Sequence, residues 1–233
     1  MVHKTSNLLL DALPANQRTA LMDRMQLVPL PAGTVLCNPG EQPKYAHFMT
    51  SGITSVVTFM ANGVGAEVGM IGREGVVEGI HLLGPAMTPT SSFIQVEGSA
   101  LRLRFSELQE ELFKSEVLLK CILAFVQSHG FILSQLSACH GLHEIERRLA
   151  RWLLMVQDRV GSDHFYLTQQ FLAEMLGTRR TSVSASAGSL QKSGLIEYKR
   201  GNIRIIDRVG LQAAACECYP IVRNLAAGLD PDA

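Results

Sequence analysis

The sequence predicts an α+β chain in three successive parts: an N-terminal antiparallel β barrel of jelly-roll type, a long helix, and a C-terminal winged helix-turn-helix. Three observations predict it. Between Val28 and Phe105, short apolar or alternating runs are separated by Gly, Pro and Asn, the texture of antiparallel strands and tight turns. From about Ser115 to Cys139, apolar residues recur at heptad spacing. From Tyr166 to Asp207, two short helical patterns meet at a glycine and are followed by a hairpin pattern.

The chain opens on a helical segment over 7–27, with Leu8, Leu9, Leu13, Leu21, Met25 and Leu27 on its apolar side. The strand-like runs are 34–37, 45–49, 53–60, 67–71, 92–96 and 101–105. Turn signals between them include Pro31-Ala32-Gly33, Asn38-Pro39-Gly40, Ser51-Gly52, Asn62-Gly63 and Glu97-Gly98. Ser106 starts a further helix, with Glu107 and Glu110 in its first turns, where negative charge suits the helix dipole. In the long helix, Leu118, Ile122, Phe125, Ile132, Leu136 and Cys139 form the heptad seam, with His129 in step. A second stripe, Val117, Cys121, Ala124, Phe131 and Ala138, lies on another face. A helix with two apolar faces can pack on its own β domain and on a partner helix at once. The seam residues Leu118, Ile122, Phe125, His129, Ile132 and Leu136 are therefore the candidate homodimer contact, and a polar His129 in such a seam fixes register. The expected domains are 1–114, 115–139 and 140–233.

Residues 143–160 form an amphipathic helix, with Ile145, Leu149, Trp152, Leu153 and Val156 inward and Glu146, Arg147, Arg148 and Arg151 outward. In the helix-turn-helix itself, Thr168 is a candidate N-cap of the first helix, and Phe171, Leu172, Leu176, Val183 and Leu190 supply the apolar face. Gly177 sits where the chain must turn, and Thr178 is a candidate cap of the second helix, which runs to about Lys192. Leu195, Ile196 and Tyr198, a turn at 199–202 and a strand over 203–206 make the wing. The tail from Val209 is expected to hold one short helix and to end in a loose Gly-Leu-Asp-Pro-Asp-Ala. The second helix opens with Thr178, Arg179, Arg180, Thr181, Ser182 and Ser184, few of which suit burial. The N-terminal residues of a recognition helix reach base edges. Arg can bind guanine through two hydrogen bonds, and hydroxyls serve phosphate or base. Thr168, Gln169, Lys192 and Arg200 complete the candidate DNA contacts.

The 21 basic and 21 acidic residues cancel, but they are unevenly placed. Residues 140–208 carry 11 Lys or Arg against 7 Asp or Glu, a net of +4, whereas 1–139 and 209–233 each carry −2. A locally positive segment favours a polyanion. No apolar run is expected to reach the roughly 20 residues of a membrane span, and no signal peptide is visible. Five scattered cysteines, an odd number, point to a reducing cytoplasm rather than a disulfide framework.

Barrel, long helix and winged helix-turn-helix together resemble the Crp/Fnr superfamily of bacterial transcription regulators. The resemblance is carried by Gly177-Thr178-Arg179-Arg180-Thr181-Ser182-Val183-Ser184, then Leu190 and Gly194-Leu195-Ile196, which are similar to the family's recognition-helix signature. Pro39-Gly40-Glu41 and Ser51-Gly52 resemble turns of its β domain. The resemblance implies that Arg180 reads a base edge, that Thr181 takes the second reading position, and that Arg179, Ser182 and the helix end at Thr168 and Gln169 touch phosphate. It implies double-stranded DNA with a palindromic operator, a second copy of the chain and RNA polymerase as partners. Many relatives carry Glu at the position of Thr181 and Arg at that of Ala185, so the preferred site should differ from that of the cyclic-AMP receptor.

The effector end departs further. Cyclic-nucleotide members hold the ribose with a Glu and the cyclic phosphate with an Arg. Here Ile80 stands where the Glu is expected, and no Arg occurs between Arg73 and Arg102. A buried phosphate without a cation is costly, so cyclic AMP is not expected. Glu78, Gly79, Ile80, Thr90 and Ser91 are the candidate pocket residues. The cysteines at 37, 121, 139, 216 and 218 lack iron–sulfur spacing, and no motif supports haem. Cys139-His140-x-x-His143-Glu144 and Cys216-x-Cys218, each weighed alone, do not amount to a metal site, and no metal is expected. No nucleophile elbow, Walker loop or paired-carboxylate motif points to an enzyme. A nucleotide-binding module acting on a partner protein is the alternative. It would keep the barrel but have no need of Arg179 and Arg180 on an exposed helix.

Overall fold

The computed structural model describes residues 5–228. Two compact units divide the chain. One comprises Gly69–Ile132 with the described parts of residues 1–56 and 224–233, and the other comprises Val57–Val68 and Leu133–Arg223.

The first unit begins with α1 (Leu8–Asp11) and α2 (Ala15–Met22), not the single helix expected over 7–27. Asn7 fixes the start of α1: its side chain caps the helix by accepting from Leu10 N, and its amide donates to Met49 O and Gly75 O, each at 2.9 Å. Pro14 separates the two helices because proline lacks the N–H that a continuing helix needs. Leu27 belongs to β1 (Gln26–Leu30) and is exposed, since β1 pairs antiparallel with residues 98–102.

The strands that follow are β2 (Val35–Cys37), β3 (Tyr45–Phe59), β4 (Gly65–Ile71), β5 (Val76–Val77) and β6 (Thr90–Arg104), with a 3-10 turn at Gly79–Leu83. They form one six-stranded sheet in the order β1-β6-β3-β4, with β2 on β6 and β5 on β3. The expected barrel is thus corrected: among the described residues, the pairing does not close on itself. Two long strands, β3 and β6, pair with each other and with two further strands each. The turns expected at Ser51-Gly52 and Glu97-Gly98 lie inside these strands. A Cβ on Gly98 would stand 2.2 Å from Ser51 O, and one on Gly52, at φ +77°, would stand 2.5 Å from Val96 O. Both glycines mark a place where the two backbones touch, which sequence alone cannot tell from a turn.

After α3 (Phe105–Lys114) comes α4 (Glu116–Leu142), 27 residues long. The heptad seam is real but faces inward. Leu118, Ile122 and Phe125 join the core of their own unit, with Phe48, Val76 and Leu108, and Ile132 and Leu136 are also buried. His129 is half-buried and stacked on Phe125. This corrects the assignment of the seam to a partner: heptad spacing says which residues share a face, not what covers it. The second stripe is the open one. Val117, Ala124, Phe131 and Ala138 are exposed there, and Leu119 and Leu123 are exposed on the adjoining side of the helix, away from the core seam. The expectation that no apolar stretch reaches membrane length is also corrected, because α4 is long and apolar enough by length and composition. A helix with one face in a protein core passes the same test.

The second unit holds the end of α4, then α5 (Ile145–Val160), β7 (His164–Tyr166), α6 (Gln169–Met175), α7 (Arg180–Lys192), β8 (Ile196–Lys199), β9 (Asn202–Ile205), α8 (Arg208–Ala214) and the first part of α9 (Cys218–Ala227). The single tail helix is therefore two, and the final Leu-Asp-Pro-Asp-Ala lies outside the described residues. A three-stranded antiparallel sheet runs in the order β7-β9-β8.

Candidate nucleic-acid interface

α5 is the base of the helix-turn-helix. Leu149, Leu153 and Val156 are fully buried along it, and it packs on α7 and α8. Leu172 of α6 and Val183 and Leu190 of α7 close the same core. Arg148 and Arg151, expected outward, are buried at 6% and 1% exposure. Arg148 is held by backbone carbonyls, His140 O at 3.3 Å and Leu176 O, which explains how its charge is tolerated inside. Arg148 adjoins the buried Leu149 and Arg151 sits one turn before the buried Leu154, which the charge pattern hid.

Thr168 caps α6 as expected, its hydroxyl accepting from Phe171 N at 3.1 Å. Gly177 takes φ +57° between the two helices, the left-handed conformation that glycine allows without strain. Thr178 is not the cap of α7. Arg179 holds that position and makes no side-chain capping bond, so the N–H groups of the first turn can meet an outside anion. Arg179, Arg180, Thr181, Ser184 and Ala185 are exposed, and Thr178 and Ser182 half-exposed, on the opening turns of α7. Ser184 Oγ donates to Gln169 Oε1 at 2.5 Å, which sets the start of α6 beside the start of α7. Thr168, Gln169, Thr178, Arg179, Arg180, Thr181, Ser182 and Ser184 thus gather at one end of the motif. Lys192 does not join them. It is 12 residues along α7 from Arg180, about 18 Å at the helical rise.

The wing is β8 and β9, joined by Arg200 at φ +51° and Gly201 at φ +88°. A side chain at Gly201 would run into the Tyr166 ring, 2.5 Å away. Lys199 and Arg200 are exposed at its tip. Tyr198 anchors the hairpin, its hydroxyl donating to Leu167 O at 2.7 Å, and burial pushes that phenol up to about 12. Sequence reasoning passed over Lys199, although its place in a hairpin turn beside Arg200 was the available signal.

The candidate effector residues are placed differently. Glu78 is buried at φ +64° and its carboxylate lies 3.2 Å from His81 Nε2. Gly79 faces Val76 and Phe125, and Ile80 is exposed. Ser91 Oγ donates to Cys37 O. Cys37 itself is raised to about 11, by burial and then by Glu78 and Glu41. An open cleft of about 480 Å³ is lined by Val35, Leu36, Asn38, Glu41, Gln42 and Lys44, none of them in that set.

One cluster bears on the expectation of no metal. Cys139 and His143 at the end of α4 meet Cys216 and Cys218 from between α8 and α9, with all four donor atoms within 4.8 Å of one another. The two motifs were weak because each supplied half of the group, some 77 residues apart along the chain. Cys139 Sγ and Cys216 Sγ are 3.5 Å apart. That hydrogen bond lowers Cys216, aided by the charge of Arg151, while the same bond and burial raise Cys139.

Residues 147–214 match the family of Crp-like helix-turn-helix domains. The chain has no match in sequence among proteins of curated function. In fold it is similar to a Crp/Fnr-family transcriptional regulator from Eubacterium rectale, at 14% identity over 91% of this chain and 99% of that one, with TM-score 0.71. FixK2 of Bradyrhizobium japonicum aligns at 13% identity over 82% of this chain and 98% of its own, with TM-score 0.70. The c-di-GMP-responsive regulator CLP of Xanthomonas campestris aligns at 14% over 83% and 100%, with TM-score 0.68. Residues 147–214 therefore belong to the Crp-like helix-turn-helix domains, and the chain along most of its length has the fold of the Crp/Fnr-family regulators it is similar to.

Proposed function

We propose that this chain is a transcription regulator of Crp/Fnr type that works as a homodimer and reads a palindromic DNA operator, each subunit placing the start of α7 in a major groove. The observation that carries the reading is the opening of α7: two exposed arginines and exposed hydroxyls at a helix end that no side chain caps. Arg180 is the base reader, Thr181 the second reading position, and Arg179, Ser182, Thr168, Gln169 and the wing residues Lys199 and Arg200 hold phosphate. Lys192, at the far end of α7, serves as a peripheral phosphate contact.

The partner copy docks on the open face of α4, Leu119, Leu123 and Phe131, since an exposed apolar stripe of this length is covered in a stable protein. Residues 1–114 act as the sensor, 115–139 as the dimer helix and 140–233 as the reader, with RNA polymerase as the downstream partner in the cytoplasm. A signal in the β domain changes the packing of α4 and so the separation of the two reading helices. Solved relatives include a c-di-GMP-responsive regulator. Here the internal pairing of Glu78 with His81 and the lack of an Arg between Arg73 and Arg102 support a signal other than cyclic AMP.

Binding isotherms on genomic fragments over a series of salt concentrations test this reading. Sequence preference with a steep salt slope is expected. Binding to no fragment would assign the chain to a regulatory module acting on another protein.

A further inference from the structure

We propose that Cys139, His143, Cys216 and Cys218 form a mononuclear tetrahedral metal site of Cys3His type that takes a zinc ion. The spacing fits one ion. Tetrahedral zinc, with Zn–S of about 2.3 Å and Zn–N of about 2.0–2.1 Å, holds its donor atoms roughly 3.5–3.8 Å apart. Cys139 Sγ to Cys216 Sγ is 3.5 Å, Cys218 Sγ to His143 Nδ1 is 3.6 Å, and all four donors lie within 4.8 Å. An iron–sulfur cluster, which interposes several irons and sulfides, holds its thiolates farther apart. The three sulfurs belong to fully buried residues that pack on one another, and the site closes with four protein donors, the mark of a structural centre.

The surroundings fit a bound ion as well. His143 turns Nδ1 towards the sulfurs, and its Nε2 meets Glu217 Oε1 at 3.0 Å. Zinc-bound histidines carry this carboxylate on the outer nitrogen, which fixes the ring and its tautomer. Gln135 Nε2 donates to Cys218 Sγ at 3.2 Å. Charge gives an independent argument. Zinc with three thiolates and a neutral imidazole is a centre of net −1. Arg151, 1% exposed, acts electrostatically on both Cys139 and Cys216, yet its Nε has no hydrogen-bond partner and its Nη1 donates to a thioether, Met155 Sδ at 3.0 Å. A guanidinium buried on such partners is costly, and an anionic metal centre beside it offsets that cost. The ion would join the end of α4 to the α8–α9 link, so that the helices following the wing are pinned to the helix preceding α5. Binding displaces the thiol protons to solvent.

The test uses the full-length protein, purified without chelators or metal-affinity resin. One zinc per chain is expected by elemental analysis. Cobalt(II) loaded in its place should give thiolate-to-cobalt charge transfer and a strong visible ligand-field band. Cys216→Ser and Cys218→Ser should lose both signals, while Cys121→Ser, away from the cluster, keeps them. A readout on the unaltered chain guards against variants that fail to fold: three of its five thiols should resist a thiol reagent until a chelator is added. Protein that carries no zinc and gives no tetrahedral cobalt spectrum overturns the proposal, as does a metal signal indifferent to both serine variants. A Cys139–Cys216 disulfide in metal-free protein would overturn it too, assigning the pair to thiol chemistry.

Discussion

Replacing Arg180 with Ala separates reading from folding. Arg180 is the first residue of α7 and is exposed, so its removal leaves no cavity and should alter stability by less than about 0.5 kcal/mol. If its guanidinium makes two hydrogen bonds to a guanine, each subunit loses about 1–3 kcal/mol, or about 5- to 150-fold in affinity. A twofold dimer loses both contacts, about 2–6 kcal/mol per operator, if the half-sites act independently. Fluorescence anisotropy at fixed salt, on an operator selected from a random pool and on the same operator with the guanine pair replaced, measures this. The variant should bind weakly and no longer distinguish the two DNAs. Lys192→Ala is the contrasting case. At about 18 Å along the helix, it should weaken all sequences alike and lower the salt slope by about one per subunit. A folded Arg180→Ala protein with undiminished affinity and discrimination refutes the assignment of Arg180 as reader.

Three further outcomes are expected. Leu123→Glu with Phe131→Glu, on the open face of α4 at 43% and 55% exposure, should yield folded monomers by light scattering, whereas an unchanged mass would place the dimer contact elsewhere. Gly98→Ala should destabilise by at least about 2 kcal/mol, seen as a lower melting temperature, because its Cβ would stand 2.2 Å from Ser51 O. Gly84→Ala, which meets nothing within 4 Å, should cost about 0.5 kcal/mol or less. His47 is buried and lowered to about 4, first by burial and then by Arg102. The unfolded chain therefore takes up this proton first, at about 6.5, and stability should fall between pH 6.5 and 4 by up to about 3 kcal/mol. Urea midpoints at pH 7 and 4.5 should converge in His47→Gln, less the share of His140, which is lowered in the same direction. An unaltered pH slope in that variant would show that His47 does not carry the effect.

Much of the helix-turn-helix was legible because its signals are local. Thr168 caps, Gly177 turns, and the hydroxyl- and arginine-rich start of α7 stays outside, all within a few residues of one another. The β domain was legible as strands but not as pairings. Ser51-Gly52 and Glu97-Gly98 look like turns, yet they are points of contact between two 15-residue strands. Charge misled in α5, where Arg148 and Arg151 read as a solvated face but are buried.

The chain's own residues determined its class: local periodicity, capping and turn chemistry are short-range and need no partner segment. Only the tertiary structure decided what covers each face. It turned the heptad seam of α4 into its own unit's core and left the second stripe open, because spacing sets direction but not the occupant. It also brought Cys139 and His143 to Cys216 and Cys218, since a four-donor cluster drawn from both ends of a domain exists only once the chain between them has folded.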